Sequence, residues 1–238
     1  MTISDELQAD RIRQNLARVR EQMAAAAKRA GRDPGEVKLV GVTKYVEPPV
    51  ARMLVEAGLS DLAESRPQEL WTKAGALSDL KIAWHMIGHL QRNKVRRTLP
   101  LVACIHSADS LRLLEEISSE AVAQNLSTNV LLEINVSGDA AKHGLAPEEV
   151  EPLLPKIAKL PRLKIVGLMT MAALEGGPDE ARCNFAALRE LRDTLVPNCP
   201  SNMSLKELSM GMSGDFEIAI EEGATLVRVG SALFEGIG

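Results

Sequence analysis

The sequence predicts an α/β fold, a single (β/α)8 TIM barrel with an extra N-terminal helix. Its 238 residues are close to the length of about 250 residues that is typical of one such barrel. Short apolar or β-branched runs alternate with longer amphipathic stretches, which indicates parallel strands joined by right-handed crossovers. There are eight such runs, with a helical pattern before the first, and this favours a closed barrel over an open sheet.

An N-terminal helix is predicted over residues 5–30, where apolar residues recur with a spacing near that of a helical turn and Gly31 follows. These apolar residues are Leu7, Ile12, Leu16, Val19 and Met23. The eight strands are predicted at 38–43, 59–63, 82–87, 101–106, 129–136, 164–171, 207–210 and 225–230. Helices are predicted between them near 49–57, 67–76, 92–99, 110–124, 147–159, 179–196 and 215–222.

Composition and charge predict one cytoplasmic domain over residues 1–238. The net charge is -4 and no block of like charges occurs, so neither a nucleic-acid-binding arm nor a membrane-binding patch is indicated. The three cysteines show no pairing pattern, which fits a reducing compartment. The polar stretch 1–13 has no apolar signal core, and no apolar run has the length of a membrane span. A basic stretch at 92–97 fits a solvated helix face, with a phosphate or RNA contact as the alternative.

A lysine at the end of the first strand is the first candidate for chemistry. Active sites of these barrels lie at the C-terminal ends of the strands. Lys44 shares strand parity with Val40 and Val42, so it is expected to point the same way as they do. At the rim of an apolar core, desolvation would lower the pKa of the amine and make it a better nucleophile for a carbonyl. The alternative is a lysine that extends into solvent at a strand end.

An arginine within the eighth strand is the second candidate. Arg228 stands in the middle of an apolar run, where a charge is costly unless it is paired. It is expected either to meet an internal carboxylate, for which Glu133 in the fifth strand is a candidate, or to face a ligand.

Two segments rich in small residues predict a phosphate site. They span 209–215 and 229–232, after the seventh and eighth strands, where these barrels often bind phosphate through backbone N–H groups. Asp215 directly precedes a helix and is expected to be its N-cap. A ligand with both an aldehyde and a phosphate would use Lys44, Arg228 and these loops together, and pyridoxal 5'-phosphate (PLP) is such a ligand.

Several longer motifs carry a family resemblance that extends from about residue 10 to the end. The most specific are Trp84-His-Met-Ile-Gly-His-Leu-Gln-Arg-Asn-Lys94 and Leu208-Ser-Met-Gly-Met-Ser-Gly-Asp215. Shorter ones are Val42-Thr-Lys44, Glu64 with Gln68-Glu69, His106-Ser107, Leu168-Met169 and Val227-Arg-Val-Gly230. In these motifs the chain resembles the pyridoxal phosphate homeostasis proteins.

The resemblance implies a single barrel similar to the N-terminal domain of alanine racemase. It implies that PLP forms a Schiff base with Lys44 and that Arg228 meets the pyridine nitrogen. The chain departs from the family after the second strand, where Ser65 takes the place of an asparagine and Arg66 that of an aromatic residue. This departure puts the contact of residue 65 with the ring hydroxyl in question.

The resemblance also implies which residues meet the cofactor phosphate. Met212, Ser213 and Gly230 are expected at the phosphate, with Ser209 nearby.

The expected function is PLP binding in vitamin B6 homeostasis without robust catalysis, with apo PLP-dependent enzymes as recipients. A guanidinium beside the pyridine nitrogen disfavours protonation of that nitrogen and weakens the ring as an electron sink. A racemase-like enzyme would need a second proton-transfer group opposite the lysine, but Tyr45 is adjacent to Lys44. An aldolase-like barrel using Lys44 without PLP is the third hypothesis. His85 and His89 lie on a strand and its exit, so no zinc site is expected there.

Overall fold

Eight parallel strands close into a barrel in which each strand pairs with its neighbours in sequence and β8 pairs with β1. The structure is a computed structural model that describes residues 3–139, 143–172 and 176–237. The strands are β1 Lys38–Val42, β2 Asp61–Glu64, β3 Ala83–Met86, β4 Val102–Ala108, β5 Thr128–Glu133, β6 Leu163–Met169, β7 Glu207–Ser209 and β8 Leu226–Val229. The predicted fold class is therefore confirmed.

Helices precede, connect and follow these strands. The α-helices are α1 Ile3–Arg29, α2 Pro48–Glu56, α3 Pro67–Ala76, α4 Arg92–Thr98, α5 Leu111–Ala123, α6 Pro147–Ile157, α7 Gly177–Leu195 and α8 Phe216–Glu221. Short 3-10 helices span Pro34–Glu36, Leu99–Leu101, Val196–Asn198 and Ser231–Leu233. Ser110 caps α5, because its side chain accepts a hydrogen bond from the N–H of Leu113.

The bounds of every strand differ from the prediction by one to three residues at one end or both. The second strand begins at Asp61 instead of residue 59, because Leu59 packs into the apolar layer outside the barrel before the strand starts. The fifth strand ends at Glu133 instead of residue 136. Beyond it the backbone leaves the regular ladder, and Ile134 forms an isolated bridge with Leu145.

The apolar residues form two clusters, one on each side of the barrel wall. The larger cluster lies between the strands and the surrounding helices. The smaller one fills the barrel interior and consists of Val40, Val42, Ala63, Cys104, Leu131, Met169 and Leu226. Burial raises the pKa of the Cys104 thiol to about 12, so this side chain stays a protonated part of the interior.

The N-terminal helix α1 is hydrogen-bonded to the segment that follows β8. Its apolar stripe is buried at Ile12, Leu16 and Val19, whereas the predicted stripe residue Leu7 is 66% exposed. The side-chain amide of Asn15 donates to the carbonyl oxygens of Leu233 and Glu235, at 3.2 and 2.9 Å. No helix in the described part of the chain combines the length and apolar character needed to cross a bilayer.

The basic stretch at 92–97 forms part of helix α4 and packs on α3. The guanidinium of Arg97 lies 4.1 Å from the ring centroid of Trp71, and Lys94 Nζ lies 5.8 Å from it. The indole N–H of Trp71 donates to Thr98 Oγ1 at 3.1 Å. The basic side chains of α4 are exposed or partly exposed, as predicted for a solvated helix face, and two of them contact the ring of Trp71.

Candidate functional site

A cavity of about 540 Å³ opens at the C-terminal ends of the strands. Six of the seven predicted site residues line it, and they are Lys44, Ser65, Met212, Ser213, Arg228 and Gly230. A groove of about 610 Å³ lies on the outer side of the same β7–α8 loop. Cations in that groove are paired with glutamates, for example Arg29 with Glu217 and Glu221. The cavity at the strand ends is therefore the better candidate for a ligand site.

Lys44 stands in a turn beyond the end of β1 and reaches this cavity. Val40 and Val42 face the barrel interior, so the predicted side of the strand is correct. The amine is not buried, because β1 ends at Val42 and Lys44 is exposed, so the alternative of a lysine that extends into solvent is the correct one. Its Nζ lies 4.7 Å from the ring centroid of Tyr45. The amine is accessible to an incoming carbonyl.

A buried ion pair lies directly behind the turn that carries Lys44. Lys73 Nζ donates to Glu64 Oε1 at 2.6 Å and to the carbonyl oxygen of Thr43 at 2.7 Å. The hydroxyl of Thr43 also donates to Glu64 Oε1, at 2.5 Å. Glu64 is fully buried, and its Oε2 has no hydrogen-bond partner among the described residues. These bonds link α3, the end of β2 and the residue before Lys44.

Lys73 was not identified from the sequence as part of the site. The available signal is its position on the buried face of α3, which also contains Pro67 and Leu70. A lysine on the buried face of a helix requires a partner, because a buried ammonium is costly without one.

Arg228 lies inside the barrel with its guanidinium at the cavity. It is 3% exposed and donates to Ser209 Oγ at 2.6 Å and to the carbonyl oxygen of Thr170 at 2.9 Å. Burial lowers the pKa of Arg228 to about 10, against the opposing effects of Asp215 and Glu133. The ion pair with Glu133, one of the two environments considered for Arg228, is not formed; Glu133 acts on Arg228 only through the electrostatic field.

Ser209 differs from the other predicted site residues because it does not line the cavity. It is fully buried and lies between Arg228 and His106, whose Nδ1 is 2.9 Å from Ser209 Oγ. His106 Nε2 lies 2.8 Å from His85 Nδ1, and His85 Nε2 lies 3.2 Å from Asp61 Oδ1. A continuous set of polar side chains therefore crosses the barrel interior from Asp61 to Arg228. This connection was not predicted from the sequence.

The two ends of this interior set are ionisable groups of opposite charge, Asp61 and Arg228. Burial, followed by electrostatic effects of His85 and Arg228, holds the pKa of His106 well below its usual value. The hydrogen bond with His85 is the largest cause that lowers the pKa of Asp61. Burial, with a smaller contribution from Asp109, raises the pKa of Glu133, which stands apart from the set, to about 7.

The loops after β7 and β8 are held together by one hydroxyl. Ser213 Oγ accepts hydrogen bonds from the backbone N–H groups of Gly230 and Ala232, at 3.1 and 3.4 Å. Asp215 does not cap α8 with its side chain as expected; its carboxylate accepts instead from the N–H of Met212 at 2.5 Å. The loop between β7 and α8 makes a sharp turn here. Gly211 permits this turn with a φ of +92°, and a Cβ at this position would lie 2.5 Å from that of Ala219.

The ends of β2 and β3 approach each other closely at Ser65. A Cβ on Gly88 would lie 2.2 Å from the carbonyl oxygen of Ser65, so only glycine fits there. Ser107 Oγ donates to the carbonyl oxygen of Gly88 at 2.7 Å and fixes the same segment. This packing sets Ser65 at the cavity wall.

His85 and His89 do not share a site, since His85 is buried in the barrel and His89 lies on the exposed rim. His89 stacks on His143 with ring centroids 4.4 Å apart and planes 15° from parallel. Their Nδ1 atoms lie 3.1 and 3.7 Å from Asp109 Oδ2. His89, Asp109 and His143 thus bring one potential ligand atom each within 4.8 Å of one another, on the exposed rim and apart from His85.

Comparison with known proteins identifies the family. The model for the alanine racemase N-terminal domain matches residues 7–237. The pyridoxal phosphate homeostasis protein of Aquifex aeolicus is 44% identical over 221 residues, which cover 93% of this chain and 96% of the relative. PipY of Synechococcus elongatus, solved with PLP bound, is 33% identical with a TM-score of 0.83 and covers 94% of this chain and 99% of PipY.

An alanine racemase of Clostridium difficile shares the fold alone. It is 17% identical, with a TM-score of 0.74, and the match covers 94% of this chain and 56% of the racemase. The matches over nearly the full length of both chains lie instead with the homeostasis proteins. This chain belongs to the pyridoxal phosphate homeostasis protein family.

Proposed function

We propose that residues 1–238 form a single PLP-binding domain that serves vitamin B6 homeostasis and holds PLP covalently through Lys44 without robust catalysis. The observation that carries this proposal is the convergence of the Lys44 amine, the Arg228 guanidinium and the Ser213–Gly230 connection on one cavity. PLP supplies an aldehyde that condenses with primary amines and a ring that delocalises negative charge. The binding of PLP by PipY, a relative over nearly its whole length, supports the same ligand here.

The cavity suits PLP in its size and in its lining. Its volume of about 540 Å³ falls within the range of roughly 300–1,000 Å³ that is common for small-molecule sites. Open space surrounds Gly214 where a Cβ would stand, so a phosphate can approach the backbone there. Met212, Ser213 and Gly230 would surround the phosphate, and Ser65 would lie at the side of the ring near Gly88.

Arg228 disfavours reactions that need a strong electron sink, and the placement of Tyr45 disfavours racemisation. Its guanidinium can only donate hydrogen bonds, so a ring nitrogen facing it would accept one and stay unprotonated. Among the described residues that line the cavity, the ionisable ones are Lys44, Tyr45 and Arg228. Tyr45 is 87% exposed and lies beside the Lys44 amine, so it is not placed across the cavity as a second proton-transfer group would be.

Mapping the covalent adduct tests the proposal. The protein is incubated with PLP, reduced with borohydride, digested and analysed by mass spectrometry. We expect one dominant adduct on Lys44, and loss of the visible chromophore in Lys44→Ala. Lys81→Ala, which removes an exposed lysine far from the cavity, is the matched control and is expected to retain both. A chromophore that persists in Lys44→Ala would overturn the assignment.

Arg228→Ala tests the contact with the ring. We expect covalent attachment to persist but PLP to dissociate faster during dialysis, because the ring loses its donor. Retention equal to that of the wild type would show that Arg228 has only a structural role.

Two further assays separate binding from catalysis. The loaded protein is expected to show no racemisation of alanine above the level of Lys44→Ala; racemisation above that level would favour the racemase-like alternative. We further propose that apo forms of PLP-dependent enzymes receive the cofactor, so mixing a loaded sample with such an apoenzyme should restore its activity. The free cysteines support a cytoplasmic location for this transfer.

A further inference from the structure

The polar side chains inside the barrel form one hydrogen-bonded chain with a different kind of group at each end. We call Asp61, His85, His106, Ser209 and Arg228 the interior chain. At one end, Asp61 is 21% exposed and lies 3.6 Å from Lys38 Nζ. At the other end, Arg228 lines the cavity that contains Lys44. The three residues between them are at least 95% buried, so water does not complete their hydrogen bonds from outside.

The position of each hydrogen follows from the Arg228 end alone. The guanidinium has no acceptor, so it donates to Ser209 Oγ. Among the described residues, the only other hydrogen-bond partner of this oxygen is His106 Nδ1, so the Ser209 hydroxyl hydrogen must be donated there. His106 Nδ1 therefore carries a lone pair, and the hydrogen of this neutral ring is on Nε2.

The remaining hydrogens of the interior chain are fixed in turn toward Asp61. His106 Nε2–H donates to His85 Nδ1, which leaves the hydrogen of His85 on Nε2. That hydrogen needs an acceptor, and the atom 3.2 Å away is the carboxylate oxygen of Asp61. The series of donors that begins at Arg228 thus ends at Asp61, whose ionised carboxylate accepts hydrogen bonds and donates none. Both ends require the same direction.

We propose that Asp61, His85 and His106 are positioning residues that act through Ser209 to hold Arg228 in the orientation in which it meets a ligand. The functional half of this inference rests on the proposed binding of PLP, whereas the direction of the hydrogen bonds does not. Aligned hydrogen bonds polarise one another, so the Asp61 carboxylate makes Ser209 a better acceptor for the guanidinium. Ser209 itself has no hydrogen left to donate to a ligand, so it supports the site through Arg228.

Nuclear magnetic resonance of the imidazole nitrogens tests the direction. The chain has four histidines, and only His85 and His106 are buried, so long-range proton–nitrogen spectra of the unloaded protein are simple to assign. We expect both buried rings as neutral tautomers with the hydrogen on Nε2. A hydrogen on Nδ1 of either ring, or a charged His106, would overturn the derivation whatever the protein binds.

Asp61→Asn tests the dependence on the carboxylate in the same spectra. The amide oxygen of the variant can still accept from His85 Nε2–H, and Arg228 still fixes the direction of the interior chain from its own end. We expect both buried rings to keep the hydrogen on Nε2 in this variant. A hydrogen on Nδ1 of either ring would show that Arg228 alone does not fix the direction.

Variants at His106 test the link to the site. His106→Gln keeps one donor and one acceptor on separate atoms, whereas His106→Leu has neither. We expect PLP to bind about three- to tenfold more weakly to His106→Leu, the effect of about one lost hydrogen bond, and His106→Gln to recover most of this loss. His89→Gln, on the exposed rim, is the control and is expected to bind like the wild type.

The outcomes separate the two proposals. Equal PLP affinity in His106→Leu and the control would refute the positioning role even when the tautomers are as derived. Equal loss in the Leu and Gln variants would show a packing effect instead of an effect on Arg228. If no adduct forms on Lys44 in the wild type, the proposed function fails, while the tautomer spectra still test the interior chain.

Discussion

Replacing Lys73 by methionine would show how strongly the buried ion pair stabilises the turn at Lys44. Methionine has a similar length, so the main change is the loss of the ammonium that contacts Glu64 and the carbonyl of Thr43. Glu64 would remain fully buried with the Thr43 hydroxyl as a donor, and its Oε2 already has no partner among the described residues. Removing one partner of such a buried pair typically costs about 3–5 kcal/mol of the free energy of unfolding.

Urea unfolding followed by circular dichroism measures this change. In a protein of this size a loss of 1 kcal/mol lowers Tm by roughly 2–4 °C, so a decrease of about 6–20 °C is expected alongside it. Lys81→Met, on an exposed lysine, is the control and should change the free energy of unfolding by no more than about 0.5 kcal/mol. PLP should also dissociate faster from Lys73→Met, because the backbone of Thr43 precedes Lys44.

A double substitution decides whether the uncompensated charge is the cause. In Glu64→Gln/Lys73→Met the buried charge is gone, and the amide oxygen can still accept from Thr43. We expect this variant to recover most of the stability lost in Lys73→Met, which is the non-additivity of a coupled pair. A loss below about 1 kcal/mol in Lys73→Met, or losses that simply add, would contradict the reasoning.

Three further predictions concern single residues, Glu133, Gly88 and Ser110. Because burial raises the pKa of Glu133 to about 7 from 4.5, the folded protein holds a proton that the unfolded chain releases, and stability falls as pH rises through this range. The free energy of unfolding of Glu133→Gln, measured with urea, should therefore rise relative to that of the wild type by up to about 3 kcal/mol as the pH increases from 4 to 8. Glu115→Gln, at an exposed position, should show no such rise. Gly88→Ala should lower stability by about 1–3 kcal/mol and weaken PLP binding, since its Cβ would collide with the Ser65 carbonyl; a crystal structure with an unmoved backbone would disprove this. Ser110→Ala should lower the free energy of unfolding by about 1 kcal/mol through loss of the α5 cap, and an unchanged midpoint would disprove it.

The fold was predictable because its signal is local. Each strand is a short apolar run and each helix an amphipathic one, and the parity of Lys44 with Val40 and Val42 gave the correct face of β1. Local sequence patterns did not predict where the strand ends. Nothing in the pattern indicates that β1 stops at Val42, which places Lys44 in an exposed turn.

The interior chain was not predictable, because its contacts depend on closure of the barrel. His106 and Ser209 are 103 residues apart in sequence, and their side chains meet only when β4 and β7 face each other across the interior. His85 did carry a usable signal, since a histidine with the parity of an interior-facing position needs a polar partner. The identity of that partner requires the three-dimensional structure.

The contacts of Asn15 with Leu233 and Glu235 also bear on how the chain folds. These partners are 218 and 220 residues apart, and β1 pairs with β8 over a comparable separation. Contacts of such high sequence separation form slowly, since a long loop must close before they stabilise anything. During synthesis, α1 and β1 are made before these partners and remain without them until the segment after β8 has been synthesised. The cavity, which includes Phe234 and Ile237 in its wall, can therefore be completed only after that segment is available.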